Sequence, residues 1–271
     1  MKTNFTPKFC VFIFAMFLTS QLSLVAQVGI NTTSPNGILD VNSSTTGIVL
    51  PRLALTATNV MAPAVNPQSG NIPIGTTVYN TNNTSNGIND VYKGIYVWDG
   101  SQWVNQFPLK HAEIFKQINH LRSRSNAGFE SIHNLDNESF TAKYSGTYKI
   151  ELSVNFGGGH IRTDYAVNVA TQSGDFRFIY DTESGTETKL IPAKAISTDG
   201  ATQYYLIWEQ HKVVYYETLR AGQSYNFSLE FNQDPSPEFE DNGNSGSGFN
   251  GGAGFVGFDI PCSVEFTYLG N

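Results

Sequence analysis

Cysteine is scarce in this chain: Cys10 and Cys262 are the only two in 271 residues. That excludes a scaffold stapled by several disulfides in place of a core. Charge is scarce too. Asp, Glu, Lys and Arg make up 14% of the residues, against roughly 25% in ordinary globular domains. Sixteen Lys and Arg face 23 acids, for a net charge of −7. Such a balance excludes nucleic acid as a partner, because that affinity comes largely from cations meeting phosphates. It lends no support to attraction by an anionic membrane surface. After residue 26 no apolar run approaches the roughly 20 residues of a spanning helix.

The first 26 residues read differently. Lys2 and Lys8 precede an apolar run over 9–18, which resumes at Leu22 and ends at Ala26. A positive start, a short apolar centre and a small final residue are the layout of a secretory signal peptide over 1–26. An uncleaved anchor is the alternative. Cleavage after Ala26 would remove Lys2 and Lys8 and no acid, taking the net charge from −7 to −9. The expected location is secreted or at the cell surface, with no membrane insertion of the mature chain. Cys262 would then be the one remaining cysteine. It follows Pro261 at the start of the last alternating segment, so a buried thiol is expected.

What is present favours β-structure. Aromatics reach 13% and glycine numbers 25, a mixture that suits sheets and turns better than helices. Residues 27–107 carry short apolar pieces between turn signals, too short for an independent core. Either this region is partly disordered or several chains share its burial. Its clearest element is a hairpin over 94–104. Asp99-Gly100 suits a type I′ turn, which would place Tyr96 opposite Trp103. The ordered series Val28-Gly29-Ile30-Asn31, Ile38-Leu39-Asp40-Val41, Gly47-Ile48-Val49-Leu50-Pro51-Arg52-Leu53, Val78-Tyr79-Asn80-Thr81 and Tyr96-Val97-Trp98-Asp99-Gly100 resembles the N-terminal segment of tail-fibre-like exported surface proteins of Gram-negative bacteria. The resemblance implies a spacer or stalk rather than a chemistry.

From 108 to 271 the strands lengthen. Tyr148, Ile150, Leu152, Val154 and Phe156 alternate with polar neighbours, the period of a half-buried strand. Tyr165, Val167 and Val169 repeat the pattern, as do Phe176, Phe178 and Tyr180. So do Tyr225, Phe227, Leu229 and Phe231, and then Val264, Phe266 and Tyr268. Ile114, Phe115, Ile118 and Leu121 also fit a helix, but the all-β surroundings favour a first strand. The expected fold is all-β, an antiparallel sandwich behind a β-rich, poorly packed stalk. Phe140-Thr141-Ala142-Lys143-Tyr144-Ser145-Gly146-Thr147-Tyr148, the turn Leu219-Arg220-Ala221-Gly222-Gln223 and the final Gly-rich loop and aromatic strand resemble the complement C1q and tumour-necrosis-factor superfamily over 140–271. That resemblance implies a ten-stranded jelly roll assembling as a trimer. The insertion over 234–252 departs from it, so no binding residue is carried over.

No motif carries catalysis. Gly246-Ser247-Gly248-Phe249-Asn250-Gly251 matches the letters of a dinucleotide fingerprint, but no helical pattern follows it. His111, His120, His133, His160 and His211 lack metal-ligand spacing. His160 follows three glycines that mark a bulge or tight loop. Asp234, Glu238, Glu240 and Asp241 read as a solvated acidic loop, with calcium the sharper alternative. No cofactor is expected. Tyr204-Tyr205 and Tyr215-Tyr216 each place one ring away from the core, because neighbours on a strand point to opposite faces. All four are candidate interface residues, since tyrosine is enriched at subunit contacts. The reading is a non-enzymatic homotrimer for adhesion or recognition of a protein or glycan ligand. The alternative is a monomeric carbohydrate-binding module.

Overall fold

The structure is a computed structural model, and it describes residues 27–125, 127–162, 169–198, 205–207, 209–240 and 252–270. The signal peptide expected over 1–26, Tyr165, Val167, Tyr204 and the 246–251 glycine stretch lie outside them. The chain divides into two units, Met1–Val49 and Leu50–Asn271.

The described part of the first unit is slight. β1 (Val28–Ile30) and β2 (Leu39–Val41) form a parallel pair. Polar side chains tie the loop ends: Asn31 Nδ2 donates to the Asn42 carbonyl at 3.0 Å, and the Asn36 N–H donates to Asp40 Oδ2 at 2.9 Å. No described residue here is buried.

The second unit begins with a four-stranded sheet. β3 (Arg52–Leu53), β4 (Thr77–Asn80), β5 (Gly94–Trp98) and β6 (Trp103–Asn105) lie side by side in that order. This sheet has its own core of Leu55, Ile72, Val78, Val91, Tyr96, Trp98 and Trp103. Poor packing, expected for all of 27–107, therefore describes 27–49 and not this sheet. The irregular stretch 54–75 supplies the missing cover: Leu55 and Ile72 come from it, and the Trp103 indole N–H donates to the Val60 carbonyl at 2.9 Å. Asn80, fully buried, accepts from the Leu55 N–H and donates to the Asn82 and Tyr92 carbonyls. The backbone groups that a non-repetitive segment leaves open are thus paired inside.

The hairpin is present, but its register differs from the type I′ expectation. Trp98 pairs with Trp103, and Tyr96 pairs with Asn105. Asp99 Oδ1 accepts from the N–H groups of Ser101 and Gln102, both at 2.8 Å. That side-chain turn stabilises a longer loop over 99–102. The two indoles meet edge-on at 5.4 Å.

A two-sheet sandwich follows. The front sheet holds β7 (Ala112–Lys116), β8 (Leu121–Arg124), β11 (Gly146–Gly157), β15 (Glu209–Leu219), β17 (Ala253–Val256) and β18 (Ser263–Gly270). The back sheet holds β9 (Glu130–Ser131), β10 (Glu138–Thr141), β12 (Val169–Thr182), β13 (Gly185–Thr198), β14 (Tyr205–Ile207) and β16 (Ser224–Gln233). Ten strands were expected; twelve are described, and because three lines are each broken in two they make nine lines, β14 included. β7 and β8 continue one another along β18 and β17, and β9 and β10 along β16. β17 and β18 share one edge of β11. Counted as lines, with β14 set aside, the front sheet reads 1-8-3-6 and the back sheet 2-7-4-5, the connectivity of a jelly roll.

The segment with helical spacing over 114–121 is this broken first line. Gln117, 4% exposed, fills the break. Its Nε2 donates to the carbonyls of Asn119 and Val256, and its Oε1 accepts from the Cys262 N–H. Gly257 adopts φ +68°, and a Cβ there would lie 1.8 Å from Gln117 Oε1. Between the sheets lies one large core. Every inward position from Tyr148 to Phe156 is fully buried, as are Phe176, Phe178, Leu229 and Phe231. Val169 departs from the expected alternation. It faces outward at 57% exposure, and Ala170 takes the inward position. Cys262 is fully buried just before β18, and burial pushes its thiol up to about 12.

Candidate functional site

Three surfaces stand out as sites of association. The first is the described part of the Met1–Val49 unit. Val28, Ile30, Ile38, Leu39, Ile48 and Val49 are each more than half exposed. An isolated two-stranded pair is marginal in water, and this one covers none of its apolar residues.

The second is the outer face of the front sheet. β15 lies along one edge of β11, and its side chains alternate. Tyr215 turns inward, packing on the core beside Phe178 and Tyr180. Tyr216 turns outward at 63% exposure. Tyr205 lies on β14, which pairs with β13 in the back sheet, so it does not share a sheet with Tyr215 and Tyr216. Around Tyr216 the face is mixed. Lys149 and Lys212 approach Glu151 at 3.0 and 2.6 Å. Hydrogen bonds from Lys212 and Lys149 hold the Glu151 carboxyl below its usual range. Val214 and Ile114 are exposed on either side of this network.

The third is where the four-stranded sheet meets the sandwich. Asp90, 1% exposed, accepts from the Ser145 hydroxyl at 2.6 Å and from the Thr84 hydroxyl at 3.0 Å. Ser145 Oγ accepts in turn from the Ala221 N–H, and the Tyr92 hydroxyl accepts from the Ser145 N–H at 2.8 Å. Tyr92 and Tyr144 stack edge-on at 5.0 Å, and Tyr144 and Tyr148 flank Tyr268 at 5.3 Å each. His111 Nδ1 lies 3.1 Å from the Tyr148 hydroxyl, and burial lowers the imidazole below its usual value. Ser145 is 2% exposed, so its pairing with a carboxylate clamps two modules rather than presenting a nucleophile. Beside this clamp opens a cleft of about 410 Å³, walled by Ile88, Val104, Phe107, Pro108, Leu109 and Leu269 among others. Sequence reasoning missed this joint. A buried Asp and Ser 55 residues apart leave no local signal.

The remaining candidates are dispersed. Glu240 is 2% exposed and donates its backbone N–H to His160, whereas Asp234 is exposed and Asp241 lies outside the described residues. The acidic stretch is thus not a uniformly solvated loop. Among the described residues, no three His, Cys, Asp or Glu side chains gather as metal ligands. Of the three glycines before His160, Gly158 serves close approach: a Cβ there would lie 2.9 Å from Ser197 Oγ.

Residues 29–119 match a family model described as a phage tail like trimerisation region. The match takes in the exposed apolar residues from Ile30 to Val49, the four-stranded sheet and β7. No curated protein matches the chain. Among solved structures, infectious bursal disease virus Gx strain shares 13% identity over 78% of this chain and 51% of that one, at a TM-score of 0.32. The Gt strain shares 9% over 69% and 52%, at 0.30. The chain thus spans about half the length of these viral chains, and at such scores the likeness carries no argument. No helix among the described residues is long and apolar enough to cross a membrane.

Proposed function

We propose that this chain is a non-enzymatic, homotrimeric structural protein, exported through residues 1–26 and secreted or displayed at the cell surface. A jelly-roll head would follow a β-rich stalk and serve adhesion or ligand recognition. The observation that carries the reading is the run of exposed apolar residues from Val28 to Val49, in a segment matched largely by a trimerisation family. Burying such residues against identical neighbours stabilises by about 25 cal/mol for each Å² of apolar area removed from water. The jelly-roll connectivity supports the C1q and tumour-necrosis-factor resemblance, under which the head would assemble in threes.

Tyr216 is the outward ring proposed for the head's contact, and Tyr215 is not. Light scattering of the mature chain should report three copies, and a monomer at high micromolar concentration sinks the reading. Tyr216→Glu should weaken assembly while circular dichroism stays native. Tyr215→Glu should damage the fold itself, because it places a charge against Phe178 and Tyr180. A glycan or cell-binding array probed with the trimer tests the adhesive role. A monomer that binds a glycan would instead support a carbohydrate-binding module.

A further inference from the structure

We infer that the cleft between the four-stranded sheet and the jelly roll is half of a subunit contact, completed by a second copy of this chain. Four of its wall residues are large, apolar and exposed: Ile88, Val104, Phe107 and Leu269. The Phe107 backbone is anchored, its N–H donating to Asn105 Oδ1 at 2.9 Å. An exposed aromatic beside a concavity is the kind of residue that dominates interface energetics.

Charge decides which partner fits. The cleft lining holds no Lys, Arg or His, and its one acid, Asp90, is buried and engaged with Ser145 and Thr84. Copies of a mature chain carrying −9 repel one another, and a surface this poor in charge adds little to that repulsion. A charged ligand would find no counter-ion there.

Continuity points the same way. Most of the wall, from Ile88 to Leu109, lies inside the stretch that matches the trimerisation region. Leu269 sits where the pairing of β18 with β11 shifts register, two residues past Thr267, which pairs with Lys149 on one side of β11 as Tyr216 does on the other. The cleft therefore borders the sheet that carries Tyr216. This inference rests on the homotrimer reading and adds to it a contact outside residues 27–49.

The test uses the full mature chain. Phe107→Glu and Leu269→Glu alter exposed positions, so circular dichroism and thermal unfolding should stay native. Each should raise the dissociation constant of the trimer at least tenfold, measured by sedimentation across a dilution series. If the wild type is a trimer, yet both charge variants stay within twofold of it, the cleft contact is overturned and the trimer reading stands. If the wild type is monomeric, both fall. If Phe107→Glu leaves assembly intact but abolishes binding to an array of neutral oligosaccharides, the cleft is a ligand site and the inference is overturned.

Discussion

The four-stranded sheet and the jelly roll solve the same problem at different scales. Among the described residues, the jelly roll buries 26 in one cluster between two sheets, and the smaller sheet buries seven. The large core is built from strands that alternate, so that β11 contributes five inward side chains and β16 four. The small one is built from strands of two to five residues and depends on an irregular cover held by Asn80 and by the Trp103 indole. One core is made by periodicity and the other by specific hydrogen bonds. The second kind should be the easier to unlock.

The largest expected effect lies in the jelly roll. Phe231, fully buried, stacks against Phe156 and Phe176 at 4.6 Å each. Phe231→Ala should cost about 3–5 kcal/mol and move the whole cooperative unfolding transition in urea. A shift confined to the N-terminal sheet would show that the two cores do not differ as argued. Trp103→Ala should come next, at about 3 kcal/mol, and its effect should be local. Hydrogen exchange should accelerate over 50–105 while β11 keeps its protection. Equal acceleration in both would mean that the Asp90–Ser145 clamp welds them into one cooperative unit.

Smaller effects sharpen the same contrast. The Cys262 thiol is neutral in the fold, with its ionisation moved from 9.0 to about 12. Its contribution to stability is complete below pH 9 and is lost as pH rises from there toward 12. At neutral pH, native protein should react with a thiol reagent at least a hundredfold more slowly than urea-unfolded protein, and fast native labelling would contradict burial in the jelly-roll core. The smallest effect belongs to the hairpin. Hydrogen bonds from the Ser101 and Gln102 N–H groups hold the Asp99 carboxyl below its usual range. That contribution is present above the ordinary carboxylate value and is lost as pH falls through the lowered one. The circular-dichroism couplet of Trp98 and Trp103 should weaken on acidification, and Asp99→Ala should weaken it at every pH. A couplet unchanged in the variant would show that the loop does not depend on this side chain.

Much of the jelly roll was legible in the sequence, because a period of two is a local property that burial merely reads out. The alternations from Tyr148, Phe176, Tyr225 and Val264 all became inward faces. Val169 misled because alternation tells which residues share a face and not which face meets the core. The hairpin was legible as a hairpin, but its register was not, since a dipeptide suggested the turn and a side chain formed another. The clamp and the cleft could not be read at all. Asp90, Ser145, Phe107 and Leu269 are distant in the chain and carry no shared spacing.

The sequence by itself determined that the chain is β-structured and poor in charge, and that adjacent tyrosines must face opposite ways, because composition and the pleat act residue by residue. Which tyrosine faces out was decided only by the tertiary structure. The pairing of β15 with β11 sets which side of that strand meets the core, and it turns Tyr215 in and Tyr216 out. The tertiary structure alone also decided that residues 50–105 have a core while the described residues of 27–49 do not. Burial depends on what the rest of the chain can bring over an apolar side chain, and for 27–49 the described residues bring nothing.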